Sequence, residues 1–192
     1  MVHGIILSKD RPAQLHLCLE ALERHGNNVF SNTSVVNYSS SPDFRMGYSI
    51  VQKAFPKVSF VEETNYYDDI MELVDDSIEL TTFFTDDDIL YRQIPVDSHK
   101  LDLMFDDFEE ILCCLSLRLG LNVYVQDPYI GSHVISPLNG FYSSENTEFV
   151  FLRWDECPIY TNFGYPLSVD GHIFRTNVLK SNLSDCKFNN PN

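Results

Sequence analysis

Four short apolar runs, separated by helical repeats, constrain this chain more than any other feature. Gly4-Ile5-Ile6-Leu7, Ser34-Val35-Val36-Asn37-Tyr38, Val58-Ser59-Phe60-Val61 and Thr81-Thr82-Phe83-Phe84-Thr85 each read as a buried strand. Between the first two, Pro12 opens a helix with apolar residues at Leu15, Cys18, Leu19 and Leu22, basic residues near its end, and Gly26 as C-cap. A second helix through Tyr48, Val51 and Ala54 stops before Pro56. A third carries Ile70, Leu73 and Val74, with Asn65 as its cap. The order βαβαβαβ predicts an α/β fold: a three-layer α/β/α sandwich around a mainly parallel, Rossmann-like sheet.

The fourth run ends abruptly in Asp86-Asp87-Asp88. Carboxylates at the C-terminal edge of a parallel strand lie where open α/β sheets bind ligands. Three like charges this close raise one another's pKa or recruit a cation, and oxygen-only ligands favour Mg²⁺ or Mn²⁺ over zinc. A solvated acidic loop explains the run alone equally well.

Composition narrows the partners. At 192 residues and 44% hydrophobic, the chain suits one domain with a sizeable core. A net charge of −15 argues against nucleic acid or an anionic membrane as the main partner. That field also repels a phosphorylated ligand unless a divalent metal at the Asp cluster reverses it locally. Five cysteines, with no Cys-x-x-Cys pair, suggest neither a zinc site nor a disulfide framework. No long apolar run suggests a membrane span, so the expectation is a soluble, cytoplasmic protein.

Beyond Tyr91 the pattern changes. A long amphipathic helix is predicted through Met104, Phe108, Ile111, Leu112, Leu115 and Leu119, enclosing Cys113 and Cys114 as buried thiols. Asn122–Val125 reads as strand, 131–144 as loop, 148–154 and 167–174 as strands beside the sheet, and a short helix follows Thr176.

The first strand ends in Ser8-Lys9-Asp10-Arg11, at the same sheet edge as the Asp cluster. Lys9 and Arg11 can meet phosphate; Asp10 either meets a base or ribose or simply caps the helix. Tyr38 ends the second strand, where its ring can stack on a nucleobase. Asp68 and Asp69 open the third helix, a position that also suits the helix dipole. Asp170 and His172 are two residues apart, so in an extended segment they share a face. His172 is a candidate third metal ligand, and Trp154-Asp155-Glu156 places the one Trp beside two acids.

The segments Ile5 to Pro12, Phe83 to Leu90, Leu115 to Asn122 and Tyr165 to Thr176 together resemble a glycosyltransferase of the GT-A fold, the nucleotide-sugar-dependent class with an Asp-x-Asp motif. The likeness is nearest to a small group of bacterial and phage glycosyltransferase-like proteins. It implies a single minimal domain, 1–92 forming a nucleotide-binding half and 93–192 a shortened acceptor half. It also implies a nucleotide-diphosphate sugar donor, UDP-linked, with an acceptor left undefined, and Mn²⁺ or Mg²⁺ as cofactor. Asp86 would meet ribose or metal, Asp87 the donor, and Asp88 the metal with His172 completing the site. Ser8, Lys9, Asp10, Arg11, Tyr38 and Asp69 would line the donor. The carboxylate base of an inverting reaction would be Asp170 or Asp155, with Glu109 and Glu110 as further candidates.

Three other readings stay open on sequence grounds. A Mg-dependent nucleotidyltransferase uses a similar sheet but ordinarily a Gly-rich loop where this chain has Ser-Lys-Asp-Arg-Pro. A phosphoryl-transfer receiver or phosphatase also clusters Asp residues. A non-catalytic carbohydrate- or nucleotide-binding protein could keep the fold without turnover.

Overall fold

The computed structural model describes residues 1–26, 28–109, 111–120, 141–143, 149–157, 162–164, 168–186 and 188. The chain divides into two units, one of residues 1–115 with 169–192, the other of residues 116–168.

The first unit alternates strand and helix as the apolar runs require. It begins β1 (Val2–Lys9), α1 (Pro12–His25), β2 (Phe30–Tyr38), α2 (Pro42–Ala54), β3 (Ser59–Glu62), α3 (Tyr66–Leu73) and β4 (Leu80–Thr85). Then come α4 (Ser98–Asp107) and the two-residue β5 (Leu115–Ser116). The second unit holds β6 (Phe141–Ser143) and β7 (Val150–Leu152), and the chain returns to the first with β8 (His172–Arg175) and α5 (Thr176–Ser184).

The main sheet has six strands in the order β3-β2-β1-β4-β8-β5. The pairs β1–β2, β1–β4 and β2–β3 are parallel, and β8 runs antiparallel to β4. Side-chain alternation sorts the two faces. Ile5, Leu7 and Phe83 pack with Ile70 and Val74 from the α3 region and Leu179 of α5 in one buried cluster. Ile6 and Phe84, paired in register on the opposite face, leave Ser8 and Asp86 to follow them on the side where α1 and α2 pack. The α/β sandwich with a mainly parallel sheet is thus as predicted.

Two glycines are fixed by local geometry. A Cβ at Gly47 would lie 2.6 Å from Pro12 Cγ, so its absence lets α2 approach the start of α1. Gly171 has φ 72°, a left-handed conformation that L side chains avoid, and its amide donates to the Phe83 carbonyl at 2.8 Å as the chain enters β8.

Several expectations are corrected. The helix predicted through Leu119 ends at Asp107: Phe108 forms its C-cap, and Leu115 joins the sheet instead. Cys113 and Cys114 therefore lie outside a helix and are only partly buried. Phe141–Ser143, within the expected loop, pairs as a strand with Val150–Leu152. The segment near residue 170 supplies a strand of the sheet itself, since Leu80–Thr82 leaves a ladder edge that His172–Arg175 covers. The strand expected at Asn122–Val125 and the candidate Glu110 lie outside the described residues.

In the second unit β6 and β7 form a two-stranded antiparallel ribbon. Phe151, Cys157 and Phe163 are buried, and Phe163 meets Phe141 edge to face at 5.8 Å. A 3-10 turn at Trp154–Glu156 leaves Trp154 44% exposed.

Candidate functional site

The strand order reverses between β1 and β4, because the chain leaves β1 toward β2 on one side and returns to β4 on the other. The carboxyl ends of these strands therefore flank a crevice, the usual ligand position in such sheets. Leu7 pairs with Thr85, so the next residues, Ser8 and Asp86, meet across the strand pair on one face.

Their side chains form one directed network. The Arg11 amide donates to Tyr48 Oη at 3.1 Å, Tyr48 Oη lies 2.7 Å from Ser8 Oγ, and Ser8 Oγ donates to Asp86 Oδ2 at 2.8 Å. Because the single Ser8 proton goes to the carboxylate, the Tyr48 hydroxyl must donate to Ser8. The donors thus all point toward Asp86, which is 4% exposed. Arg11 Nη1 completes the set at 3.4 Å from Asp86 Oδ1 and 3.0 Å from Asp87 Oδ2.

The three carboxylates differ by environment. Burial raises the Asp86 pKa, while Ser8 and Arg11 oppose that shift. Asp87 is lowered, first by the Thr85 hydroxyl and further by Arg11. Asp88 is raised by burial and by the neighbouring charges of Asp170 and Asp87, against the Thr85 amide. Both bonds to Asp88, from Thr85 N at 2.8 Å and Thr85 Oγ1 at 3.1 Å, fall on Oδ2. Cys18 registers the same field: burial and then the charges of Asp88, Asp86 and Asp87 push its thiol up to about 12.

A second cluster sits beyond β1 and β2. Asp10 has φ 58°, unusual for a residue with a side chain, and its carboxylate accepts from the Ser40 amide at 2.7 Å. It does not cap α1, whose N-cap position is Arg11 and lacks a side-chain bond. The Asp10 amide continues the ladder to the Tyr38 carbonyl at 3.1 Å, and Lys9 Nζ lies 5.2 Å from the Tyr38 ring centroid. Tyr38 is 39% exposed, which leaves ring surface for a ligand. Asp69 is engaged locally, accepting from Thr64 N at 2.7 Å and Asn65 N at 3.0 Å at the start of α3.

The remaining candidates separate. His172 is buried, its Nδ1 lies 3.4 Å from Cys114 Sγ, and its ring stacks on Phe174. Asp155, in the second unit, is exposed and pairs with Arg153 at 2.8 Å, which lowers its pKa. Glu109 is exposed near the end of α4. Among the described residues no three His, Cys, Asp or Glu form a group that could hold a metal ion, so Asp86, Asp88 and His172 are not a preformed triad. The donor chemistry still suits Mg²⁺ or Mn²⁺, which such sites hold with one or two carboxylates plus substrate phosphates. Asp86 and Asp88 supply that number.

Sequence reasoning placed Tyr48 only as a core position of α2. Its hydroxyl was missed, and the only general signal for it is that a buried Tyr needs a polar partner, which does not say which one.

Comparison with known proteins finds a similar sequence and several similar structures. No protein-family model matches the chain. It is 26% identical over 191 residues to the bifunctional glycosyltransferase pgtA of Dictyostelium discoideum, covering 92% of this chain and 24% of that protein. The chain thus spans about a quarter of the length of the curated relative it matches. Among solved structures, residues 1–349 of S. aureus TarS superpose with a TM-score of 0.48 and 18% identity, over 95% of this chain and 49% of that one. The same fragment in complex with UDP-GlcNAc gives a TM-score of 0.46 and 17% identity, over 95% and 47%. A 4-diphosphocytidyl-2C-methyl-D-erythritol synthase gives 0.42 and 14%, over 97% and 82%. The fold assignment rests on the strand order and register described above. No helix among the described residues is long and apolar enough to cross a membrane.

Proposed function

We propose that this chain is a nucleotide-sugar-dependent glycosyltransferase domain of the GT-A type, taking a UDP-linked donor with Mn²⁺ or Mg²⁺ and passing the sugar to a hydroxyl acceptor. The observation that carries this reading is the Ser8–Tyr48–Arg11–Asp86–Asp87 network at the crevice between β1 and β4. Sequence similarity to a bifunctional glycosyltransferase supports the reaction class.

Each residue then has a task. The exposed face of Tyr38 stacks on the base, and Lys9 and Asp10 flank it at the strand ends. Arg11, half-exposed at the mouth, keeps guanidinium N–H groups available for the diphosphate. Asp86 holds Arg11 in place through a carboxylate that Ser8 fixes. Asp88, with Asp86, would hold the metal. A divalent ion bound there supplies positive charge against the diphosphate and its leaving oxygen. Asp170, close enough to raise the Asp88 pKa, is the base for an acceptor hydroxyl in an inverting reaction. Asp155, the other candidate base, lies in the second unit and is paired there with Arg153.

Calorimetric titration of UDP and GDP, with Mn²⁺ and then with EDTA, tests the donor site. Metal-dependent UDP binding that disappears in Asp88→Ala is expected. No nucleotide binding with metal present sinks the reading. Metal-dependent hydrolysis of UDP-sugars then separates an enzyme from a non-catalytic binding protein.

A further inference from the structure

Arg11 is joined to two of the three clustered carboxylates, and this contact bears on how the site loads. Its Nη1 sits between Asp86 Oδ1 and Asp87 Oδ2, at 3.4 and 3.0 Å. Neither carboxylate is casually placed. Asp86 is locked by the directed network from Arg11 N through Tyr48 and Ser8, and Asp87 belongs to the tight turn closed by Asp88 N on the Thr85 carbonyl at 3.1 Å. The same residue therefore anchors the network through its backbone and neutralises its far end through its side chain. With a chain charge of −15, an empty crevice bearing three bare carboxylates would attract any divalent cation. The guanidinium offsets one of those three charges at the two carboxylates it touches, and its 51% exposure leaves it able to swing toward an incoming anion.

We infer that Arg11 is the built-in counter-ion of the carboxylate cluster: it pairs with Asp86 and Asp87 until a donor diphosphate draws it away, and so makes metal binding conditional on the nucleotide. This inference rests on the donor-site reading above. When the diphosphate enters, Arg11 exchanges carboxylate oxygens for phosphate oxygens, which match its fork geometry equally well. Asp86 Oδ1, no longer paired with Arg11, would then be available beside Asp88 for the cation that accompanies the donor. Metal and nucleotide load together, and the metal alone loads poorly.

Titration of Mn²⁺ alone, followed by electron paramagnetic resonance of the unbound ion, reads this directly without any turnover. The wild-type protein is expected to bind Mn²⁺ weakly without nucleotide and more tightly with UDP. Arg11→Gln is expected to tighten Mn²⁺ binding in the absence of nucleotide by a factor on the order of ten to a hundred, the size of one nearby charge in a partly solvated site. It should also shrink the enhancement that UDP produces. Arg11→Lys keeps the charge and should stay near the wild type, which separates an electrostatic role from a change in folding. Arg11→Gln that binds Mn²⁺ alone no better than the wild type, while wild-type UDP binding is intact, overturns the role of Arg11 and leaves the donor site standing. Absence of UDP binding to the wild type with Mn²⁺ overturns both.

Discussion

Replacing Ser8 with alanine removes one hydroxyl from the middle of the network, and two buried groups feel its loss. Asp86 Oδ2 loses a donor at 2.8 Å, and the Tyr48 hydroxyl loses its acceptor at 2.7 Å. Ser8 is 6% exposed and Asp86 4%, so water does not readily replace the missing group. A hydrogen bond to a charged group contributes about 1.5–3 kcal/mol and a neutral one about 0.5–1.5 kcal/mol. Asp86 keeps Arg11 and Tyr48 keeps the Arg11 amide, so the lower parts of both ranges apply, giving a loss of about 2–3 kcal/mol. Urea unfolding near neutral pH measures it. The loss should also depend on pH with a definite sign. Burial already holds the Asp86 pKa above its ordinary value, and Ser8 pulls it down, so the variant's native value lies higher still. The penalty is therefore full at neutral pH, where the carboxylate is charged in both proteins. It shrinks as pH falls through the variant's native pKa and is smallest below that of the wild type. A loss under about 0.5 kcal/mol, or one that is the same at every pH, would refute the assignment of Ser8 as the donor that fixes a charged Asp86.

Other consequences can be checked separately. Asp170→Asn should bring the Asp88 carboxyl closer to its ordinary range, read by carbon NMR of the Asp side chains; an unmoved midpoint would show that the two do not interact. His3 is held below its ordinary pKa mainly by burial, against the Leu73 carbonyl and the Asp75 charge, so it folds neutral. Stability should be full above about pH 6.5 and fall as pH drops below it, because only the unfolded chain then takes the proton. His3→Gln should flatten that part of the urea-midpoint profile. Asp10→Ala puts alanine at φ 58° and removes the bond to Ser40 N, which should destabilise by about 1–3 kcal/mol, whereas Asp10→Asn should cost little because Asn tolerates the left-handed region. Thermal melts of the two variants make the comparison, and equal losses would contradict it.

The parallel sheet was legible because its signals are local. Each strand is a short apolar run, and the helices show their own period, with a start visible at Pro12 and Asn65; Pro42, read as loop, in fact opens its helix. Ser8, Arg11 and the Asp cluster were legible for a related reason, since ends of parallel strands converge whatever joins them. What failed depended on partners distant in sequence. The pattern from Phe108 to Leu119 kept helical spacing, yet Leu115 is taken by the sheet, a choice that no window around it contains. Asp10 has the composition of a cap, but its backbone conformation turns it toward Ser40, thirty residues on. Tyr48 reaches Ser8 across forty residues of chain, so its spacing revealed burial and nothing about its hydroxyl. His172 seemed poised for the Asp cluster, while the antiparallel register of β8 sets it deeper in the sheet beside Cys114.

That late strand has a consequence for how the polypeptide reaches this shape. Thr81 and Thr176 are 95 residues apart, yet their hydroxyls meet at 2.8 Å where α5 leaves β8. A nascent chain can complete the β3-β2-β1-β4 half as soon as Thr85 has emerged, since those pairings need only preceding residues. It then carries the open edge of β4 throughout synthesis of the intervening stretch, and an open edge is a template for pairing with other chains. Closing so long a loop is also entropically slow. The interval before His172–Arg175 arrives is thus when this protein is most exposed to misassembly.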